Sequence, residues 1–395
     1  MSTQTVEPKK YMQRVGRPTG PSLDDFIYRK SVSLDIDKNV IYNGACNADV
    51  TNAFATNNGY SFTPRSEFTF DRSITWYPAH MAKAKLNIGK KKQAVDCILE
   101  VRDARAPLTS SNCSLVEEYP DHIPRLVVLN KSDLVLPKDI KRSCELLEKT
   151  GRHAVAYSAL GLRRITQIID FVTSKVTPKY KTLGVWMMVV GLPNVGKSSI
   201  INALKRYSFS QRFHSRYGMM ESTNLTKAKA TTAAEAGSTR HMNAFFVSEK
   251  PKLYCFDTPG VMLPKMNCPE INLVLAAIGC VNDHRAGVDY IADYILYRLN
   301  RNRMFKYVDI LGMQGPTDDV TEIMEHISQI AERKYGTIEP SNCYRIFINQ
   351  FRLGRFGRIC MDDLSDIMRR GDLSDFELSE PPGPLGPAYW PIHGL

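Results

Sequence analysis

The chain has 395 residues, enough for two or three folded units, and its 52 Lys plus Arg against 41 Asp plus Glu give a formal charge of +11. That balance points to a polyanionic partner, nucleic acid first and an anionic membrane surface second. Hydrophobic residues at 43% exclude a largely disordered chain, and no apolar run approaches the roughly 18 residues that a membrane-spanning helix needs. Nine cysteines, without a single C-x-x-C pair, suggest neither a zinc ribbon nor a disulfide framework. They read as reduced thiols, mostly core filler.

In chain order, residues 1–70 read as an N-terminal extension, rich in Asn, Ser, Thr and Gly and partly disordered. Its first twenty residues hold Lys9, Lys10, Arg14 and Arg17 against Glu7. They are basic and acid-poor like a transit peptide but lack a clear apolar stripe, so a targeting segment and a flexible tail are both open readings. From 71 to 265 short apolar runs (AVDCILEV, RLVVLN, HAVAYS, VWMMVVG) alternate with helix-like stretches, and MNAFFVS and KLYCFD are close enough to pair as a hairpin. This predicts an α/β fold with a mainly parallel sheet. From 266 to 370 only helical patterns recur, predicting an all-helical unit, and 371–395 is an acidic, Pro/Gly-rich tail.

The strongest motif is GLPNVGKSS, residues 191–199, placed between a strand pattern and a helix pattern. It fits G-x-x-x-x-G-K-[ST] with Gly191, Gly196, Lys197 and Ser198. Backbone amides of Asn194, Val195, Gly196 and Ser199 can wrap phosphates, Lys197 neutralises β and γ oxygens, and the Ser198 hydroxyl is a Mg²⁺ ligand. The choice of base comes from NKSD, residues 130–133, directly after RLVVL. A carboxylate at Asp133 accepts from both N1–H and the exocyclic amine of guanine, a donor pair that adenine lacks. Asn130 and Lys131 brace the loop and cover the base, and Ser158 and Ala159 place a backbone amide for the guanine carbonyl. DTPG, residues 257–260, supplies Asp257 for Mg²⁺ and the Gly260 amide as γ-phosphate sensor. In AGSTR, Thr239 stands where a switch threonine would ligate Mg²⁺ only with GTP bound, with Thr231 and Thr232 as competitors. Together these predict a P-loop GTPase with GTP and Mg²⁺ as its ligands.

The order is unusual: base recognition precedes the phosphate loop, which precedes DTPG. An ordinary Ras-like chain starts with the phosphate loop. A circular permutation keeps the same sheet while sending the chain straight from DTPG into the helical segment, where switch motion would pull on it.

With WYPAHMAKA (76–84), VRDARAP (101–107) and FRLGRFGR (351–358) added, the chain resembles the circularly permuted GTPases of the RbgA/YlqF type from about Trp76 to Asp363. Tyr77, Ala79 and Ala236 depart from the family pattern. The resemblance implies a GTP-hydrolysing factor in large ribosomal subunit assembly, acting with rRNA, ribosomal proteins and other assembly factors, and coupled to late maturation or release. The basic N-terminal segment favours the mitochondrial matrix, with inner-membrane association and peripheral membrane contact as options and a cytoplasmic or nucleolar site as the alternative.

A Ras-like enzyme has a water-orienting Gln just after the DTPG glycine; here Val261 stands there. The plain reading is a nucleotide-gated scaffold with little turnover; the resemblance instead implies His80 as the catalytic residue, with Lys197 and Thr239 assisting. Asn194 is a candidate K⁺ ligand, with loop bracing as the alternative. In the helical segment Arg345, Arg352, Arg355 and Arg358 alternate with Phe347, Phe351 and Phe356, types suited to phosphate contact and base stacking. Lys83, Lys85, Lys90, Lys91 and Lys92 add a basic run. A solvated face above core phenylalanines is the alternative; the resemblance implies rRNA.

Overall fold

The computed structural model describes residues 62–72, 74, 79–112, 122–158, 165–217, 243–249, 251–262, 269–335 and 339–365. The expectations for residues 1–61, for Thr239 and its competitors, for Ala159 and for the acidic tail lie outside these residues, as does the side chain of His80.

Six strands form one sheet in the order β3-β2-β1-β4-β6-β5. They are β1 (Cys97–Asp103), β2 (Arg125–Asn130), β3 (His153–Ala156), β4 (Val185–Val190), β5 (Asn243–Glu249) and β6 (Lys252–Asp257). Five are parallel, and β5 closes one edge antiparallel to β6, as the short 242–257 spacing predicts. All seven residues of β1 are buried, the pattern of a central strand covered on both faces.

Alternation sorts the side chains. Leu99, Val101, Met187 and Val189 face a layer holding α3 (Ile165–Lys175) and α4 (Lys197–Tyr217), through Ile168, Phe171, Ile200 and Leu204. On the opposite face Ile98, Met188 and Val190 meet Ala84 and Ile88 of α1 (Ala79–Lys91). There too Val127 and Leu129 meet Ile140 and Leu147 of α2 (Pro137–Lys149). Helix α2 begins with Pro137 in its first turn, and just past its end Gly151, whose φ is 72°, lets the chain reverse while the Arg152 amide donates back to Leu147.

The helical segment comprises α5 (Pro269–Ala277), a short turn α6 (Asp283–Ala286), α7 (Val288–Arg301), α8 (Lys306–Leu311), α9 (Val320–Tyr335) and α10 (Pro340–Arg352). Its core is continuous with that of the sheet: Leu275, Tyr294, Ile295 and Phe347 belong to the same buried cluster as Leu99 and Val189. Arg298 ties it together, reaching Glu270 at 3.2 Å, the Tyr294 hydroxyl at 3.1 Å and the Met361 carbonyl. Residues 62–72, which composition assigns almost wholly to an extension, lie along α7. Phe68 packs against Tyr290, Tyr294 and Tyr297, spaced at helical intervals, while Arg65 pairs with Asp293 and Arg72 with Asp289. A single heptad-spaced aromatic stripe on α7 provides that seat, which no pattern in 62–72 announces.

Candidate functional site

The motifs meet where parallel strands end, the edge at which open α/β sheets bind ligands. Asp103 ends β1, Asn130 ends β2, the phosphate loop follows Val190 of β4, and Asp257 ends β6.

The phosphate loop is closely enclosed. Gly191 passes the end of β1 so tightly that a Cβ would lie 2.3 Å from the Val101 carbonyl oxygen. At Gly196, with φ at 97°, a Cβ would lie 2.0 Å from Asn130 Nδ2, which donates to the Val195 carbonyl at 2.8 Å. Glycine is therefore needed for the base-reading loop to brace the phosphate loop. Lys197 is buried and donates to the carbonyls of Leu192 at 2.8 Å and Gly191 at 3.2 Å. Burial pushes its ammonium down to about 8, partly opposed by Asp257.

Ser198 Oγ donates to Asp257 Oδ2 at 2.9 Å. The other oxygen of Asp257, Oδ1, is buried with no hydrogen-bond partner, and burial raises this carboxyl above its ordinary range despite Lys197 and Ser198. A buried, under-bonded carboxylate oxygen beside a P-loop hydroxyl is a hard-oxygen donor set that fits Mg²⁺. The rest of DTPG locks against its neighbours. Thr258 Oγ1 donates to the Val189 carbonyl at 2.6 Å, and a Cβ on Gly260 would lie 2.6 Å from Pro193 Cα. Val261 is fully buried with Ile88, Met188 and Phe256, and its carbonyl accepts from the Asn112 side chain.

On the base side, Lys131 adopts a left-handed backbone (φ 60°, ψ 33°), and Asp133 lies in the helical turn that follows. Ser158 Oγ donates to Asp133 Oδ1 at 2.5 Å, so the expected guanine carboxylate is already oriented by the next strand. Lys131 Nζ pairs with Asp103 at 2.8 Å. Arg105 binds the same carboxylate through Nε at 2.9 Å and Nη2 at 2.8 Å, and also reaches the Ile278 carbonyl at 3.1 Å. Burial alone would push the Asp103 carboxyl up, but Arg105 and Lys131 outweigh it and hold it well below the usual carboxylate range.

The structure thus brings together Asn130, Lys131, Asp133, Ser158, Asn194, Val195, Gly196, Lys197, Ser198, Ser199, Asp257 and Gly260. Asn194, with φ at 57°, donates through Nδ2 to the Gly279 carbonyl at 2.9 Å, linking the phosphate loop to the end of α5. Sequence reasoning missed Asp103, Arg105 and Asn112 as parts of the site. The signal was there: Glu100, Arg102 and Asp103 interrupt an otherwise apolar central strand.

The basic segment needs correction. Phe347, Phe351 and Phe356 are core residues, Phe347 and Phe356 packing ring to ring, so none is a stacking platform. Arg352 pairs with Asp283 at 2.6 and 2.8 Å and donates to the carbonyls of Ala276 and Ala277, sealing the end of α5. Arg345 is half-buried with Nη2 3.1 Å from His284 Nε2, whereas Arg355 and Arg358 are exposed. Of the two readings left open for this segment, the core phenylalanines are the one observed; beyond Arg352 the chain turns back onto the sheet domain, with the Ile359 amide on the Leu134 carbonyl and the Met361 amide on the Arg105 carbonyl.

A family model described as "50S ribosome-binding GTPase" matches residues 187–338, a span that begins in β4 and leaves out NKSD. GNP-bound YlqF from T. maritima overlaps 71% of this chain and 98% of its own, with a TM-score of 0.45 and 20% identity. Mitochondrial GTPase 1 of Aedes aegypti is 32% identical over 311 residues, covering 73% of this chain and 94% of that protein. Mitochondrial ribosome-associated GTPase 1 of Bos taurus is 34% identical over 308 residues, covering 73% and 88%. With identity above 30% spread over most of both partners and the nucleotide motifs assembled on one sheet edge, the chain belongs to the mitochondrial GTPase 1 family.

Proposed function

We propose that this protein is a mitochondrial GTPase that binds the immature large ribosomal subunit and couples GTP hydrolysis to a late maturation or release step. The carrying observation is the convergence of NKSD, Ser158, the phosphate loop and DTPG on one sheet edge, in permuted order. Relatives that the chain nearly spans carry names that place them in mitochondria and on ribosomes.

In this reading Asp133 reads guanine, Lys197 offsets phosphate charge, and Ser198 with Asp257 holds Mg²⁺, to which Thr239 adds a ligand in the GTP state. The metal, when bound, supplies charge compensation for the phosphate oxygens. Asn194, whose Nδ2 is held by the Gly279 carbonyl, would offer its amide oxygen to K⁺. Val261 is sealed in the core, so water orientation falls to another residue. His80 is the candidate that the family resemblance implies; it lies in the first turn of α1, whose Ala84 and Ile88 share a buried cluster with Val261. Arg355 and Arg358, together with Arg345, serve rRNA phosphate contact. Functionally, residues 71–265 are the GTPase unit and 266–370 the ribosome-facing unit.

The test is multiple-turnover hydrolysis with and without purified mitochondrial and cytosolic large subunits. Stimulation by the mitochondrial subunit, abolished by His80→Ala with GTP affinity retained, is the expected outcome. The sealed Val261 favours a second reading, a nucleotide-gated scaffold; unstimulated turnover, indifferent to His80→Ala, together with GTP-dependent co-sedimentation, selects it.

A further inference from the structure

Lys131 and Asp103 lie 28 residues apart in sequence, yet they form a side-chain link that joins the base-reading loop to the central strand. The Asp103 side chain is wholly buried, whereas Lys131 is 28% exposed, so the ion pair reaches from the core to the ligand edge. Four donors converge on this carboxylate: the Arg105 amide, Nε and Nη2, and the Lys131 ammonium. Arg105 by itself satisfies both oxygens in a bidentate fork, so the lysine is an additional cation drawn into an already paired site. Neither Asp103 nor Arg105 can yield. The Asp103 amide is held by Ser110 Oγ at 3.0 Å, Arg105 is anchored on the Ile278 carbonyl, and the Arg105 carbonyl accepts from the Met361 amide.

We propose that Asp103, held by Arg105, is a positioning residue for guanine nucleotide. It tethers the Lys131 ammonium so that the lysine stem is already laid along the face that covers the base. The proposal rests on the reading of NKSD as the guanine loop. Its physical content is preorganisation: a free lysine loses considerable rotamer freedom when it is ordered over a ligand, and a tethered one has lost it before binding. Asp103 acts on affinity through Lys131 and has no direct part in hydrolysis.

The test is fluorescence titration of the full chain with mant-GDP, together with steady-state GTP hydrolysis, for wild type, Lys131→Met, Asp103→Asn and the double variant. Asp103→Asn should raise Kd about tenfold and raise KM with kcat within twofold of wild type; in the Lys131→Met background it should add less than twofold. Because Asp103→Asn leaves Arg105 charged in the core, Asp103→Asn combined with Arg105→Met, which removes both charges, is measured alongside, with thermal melting to verify folding. Full additivity in the double variant, or an unchanged Kd in a folded Asp103 variant, overturns the proposal. Failure of both Asp103 variants to fold assigns the cluster to stability alone and overturns it too. Should wild type not bind mant-GDP competitively with GTP, the reading of NKSD itself fails, an outcome distinct from a bound nucleotide indifferent to Asp103.

Discussion

Around NKSD the side chains are bonded to other parts of the fold, whereas the two charged groups of the phosphate side, Lys197 and Asp257, bond to the phosphate loop and to the Ser198 hydroxyl that follows it. Asn130 reaches Val195, Lys131 reaches Asp103, Asp133 receives Ser158, and the Leu134 carbonyl just beyond accepts from Ile359 of the C-terminal segment. Lys197 instead donates to its own loop, and Asp257 has one bonded oxygen and one orphan. The base side is therefore a rigid reader whose shape exists beforehand. The phosphate side carries charges and lone pairs only partly satisfied by protein, the condition of a site whose remaining partners are a polyanion and a metal ion.

Removing the reader should have the largest effect. On the proposed guanine reading, Asp133→Asn would replace an acceptor for two guanine donors with an amide that mismatches one of them. GTP affinity should fall by about 10³, on the order of 4 kcal/mol, in a titration of the full chain. The same amide can donate to the C2 carbonyl of xanthine, so xanthosine nucleotides should gain affinity. Retained GTP binding with no gain for xanthosine nucleotides would contradict the base-side geometry. On the phosphate side, Gly260→Ala pushes backbone against Pro193, where a Cβ has only 2.6 Å. Hydrolysis should drop by about 10², while GDP affinity, carried by the base side, falls less than tenfold. Equal losses in both assays would show that the two sides are not separable.

The same contrast explains what was legible in the sequence. Phosphate and base motifs are local in the chain, because a strand–loop–helix turn needs glycines and a lysine at fixed spacing; Gly191, Gly196, Lys197 and Asp257 could be read directly. The supports were not legible, since they depend on which strand lies beside which. Asp103 meets Lys131 only because β1 and β2 run parallel with Asp103 opposite Asn130. The sheet was readable from apolar runs. The seat of 62–72 on α7 was not, because it depends on Arg65, Phe68 and Arg72 meeting side chains more than two hundred residues away. Arg352 looked like its surface neighbours in sequence because its role is set by the end of a distant helix.

That arginine offers a smaller test, now of the helical segment against its own surface. Arg352→Met removes a bidentate ion pair with Asp283 and uncovers the last carbonyls of α5, so stability should fall by about 2–3 kcal/mol in denaturant unfolding. Arg355→Glu and Arg358→Glu, at exposed positions, should change stability by less than about 0.5 kcal/mol while weakening rRNA binding and reducing its salt dependence. Equal stability losses at all three positions would erase the division between structural and surface arginines.

The smallest effect separates the two sides by pH. Burial holds the Lys197 ammonium at about 8, below the ordinary lysine value near 10.5 that it regains when the chain unfolds. Between those values the unfolded chain carries a proton that the native chain has released. The Lys197 contribution therefore makes native stability rise with pH through that window. Phosphate binding selects the charged form, so nucleotide affinity moves the opposite way, falling about fourfold by pH 8.5 relative to the plateau below pH 7. The part of the fall that belongs to Lys197 should be carried by phosphate contacts. Parallel titrations of wild type and Lys197→Arg with GTP and with guanosine separate the two sides. GTP affinity should decline with pH only in wild type, and guanosine affinity should show no Lys197-dependent slope. A GTP curve that is flat from pH 7 to 8.5 in wild type would mean that the buried lysine keeps its proton through that range and that the phosphate side holds this charge without the nucleotide.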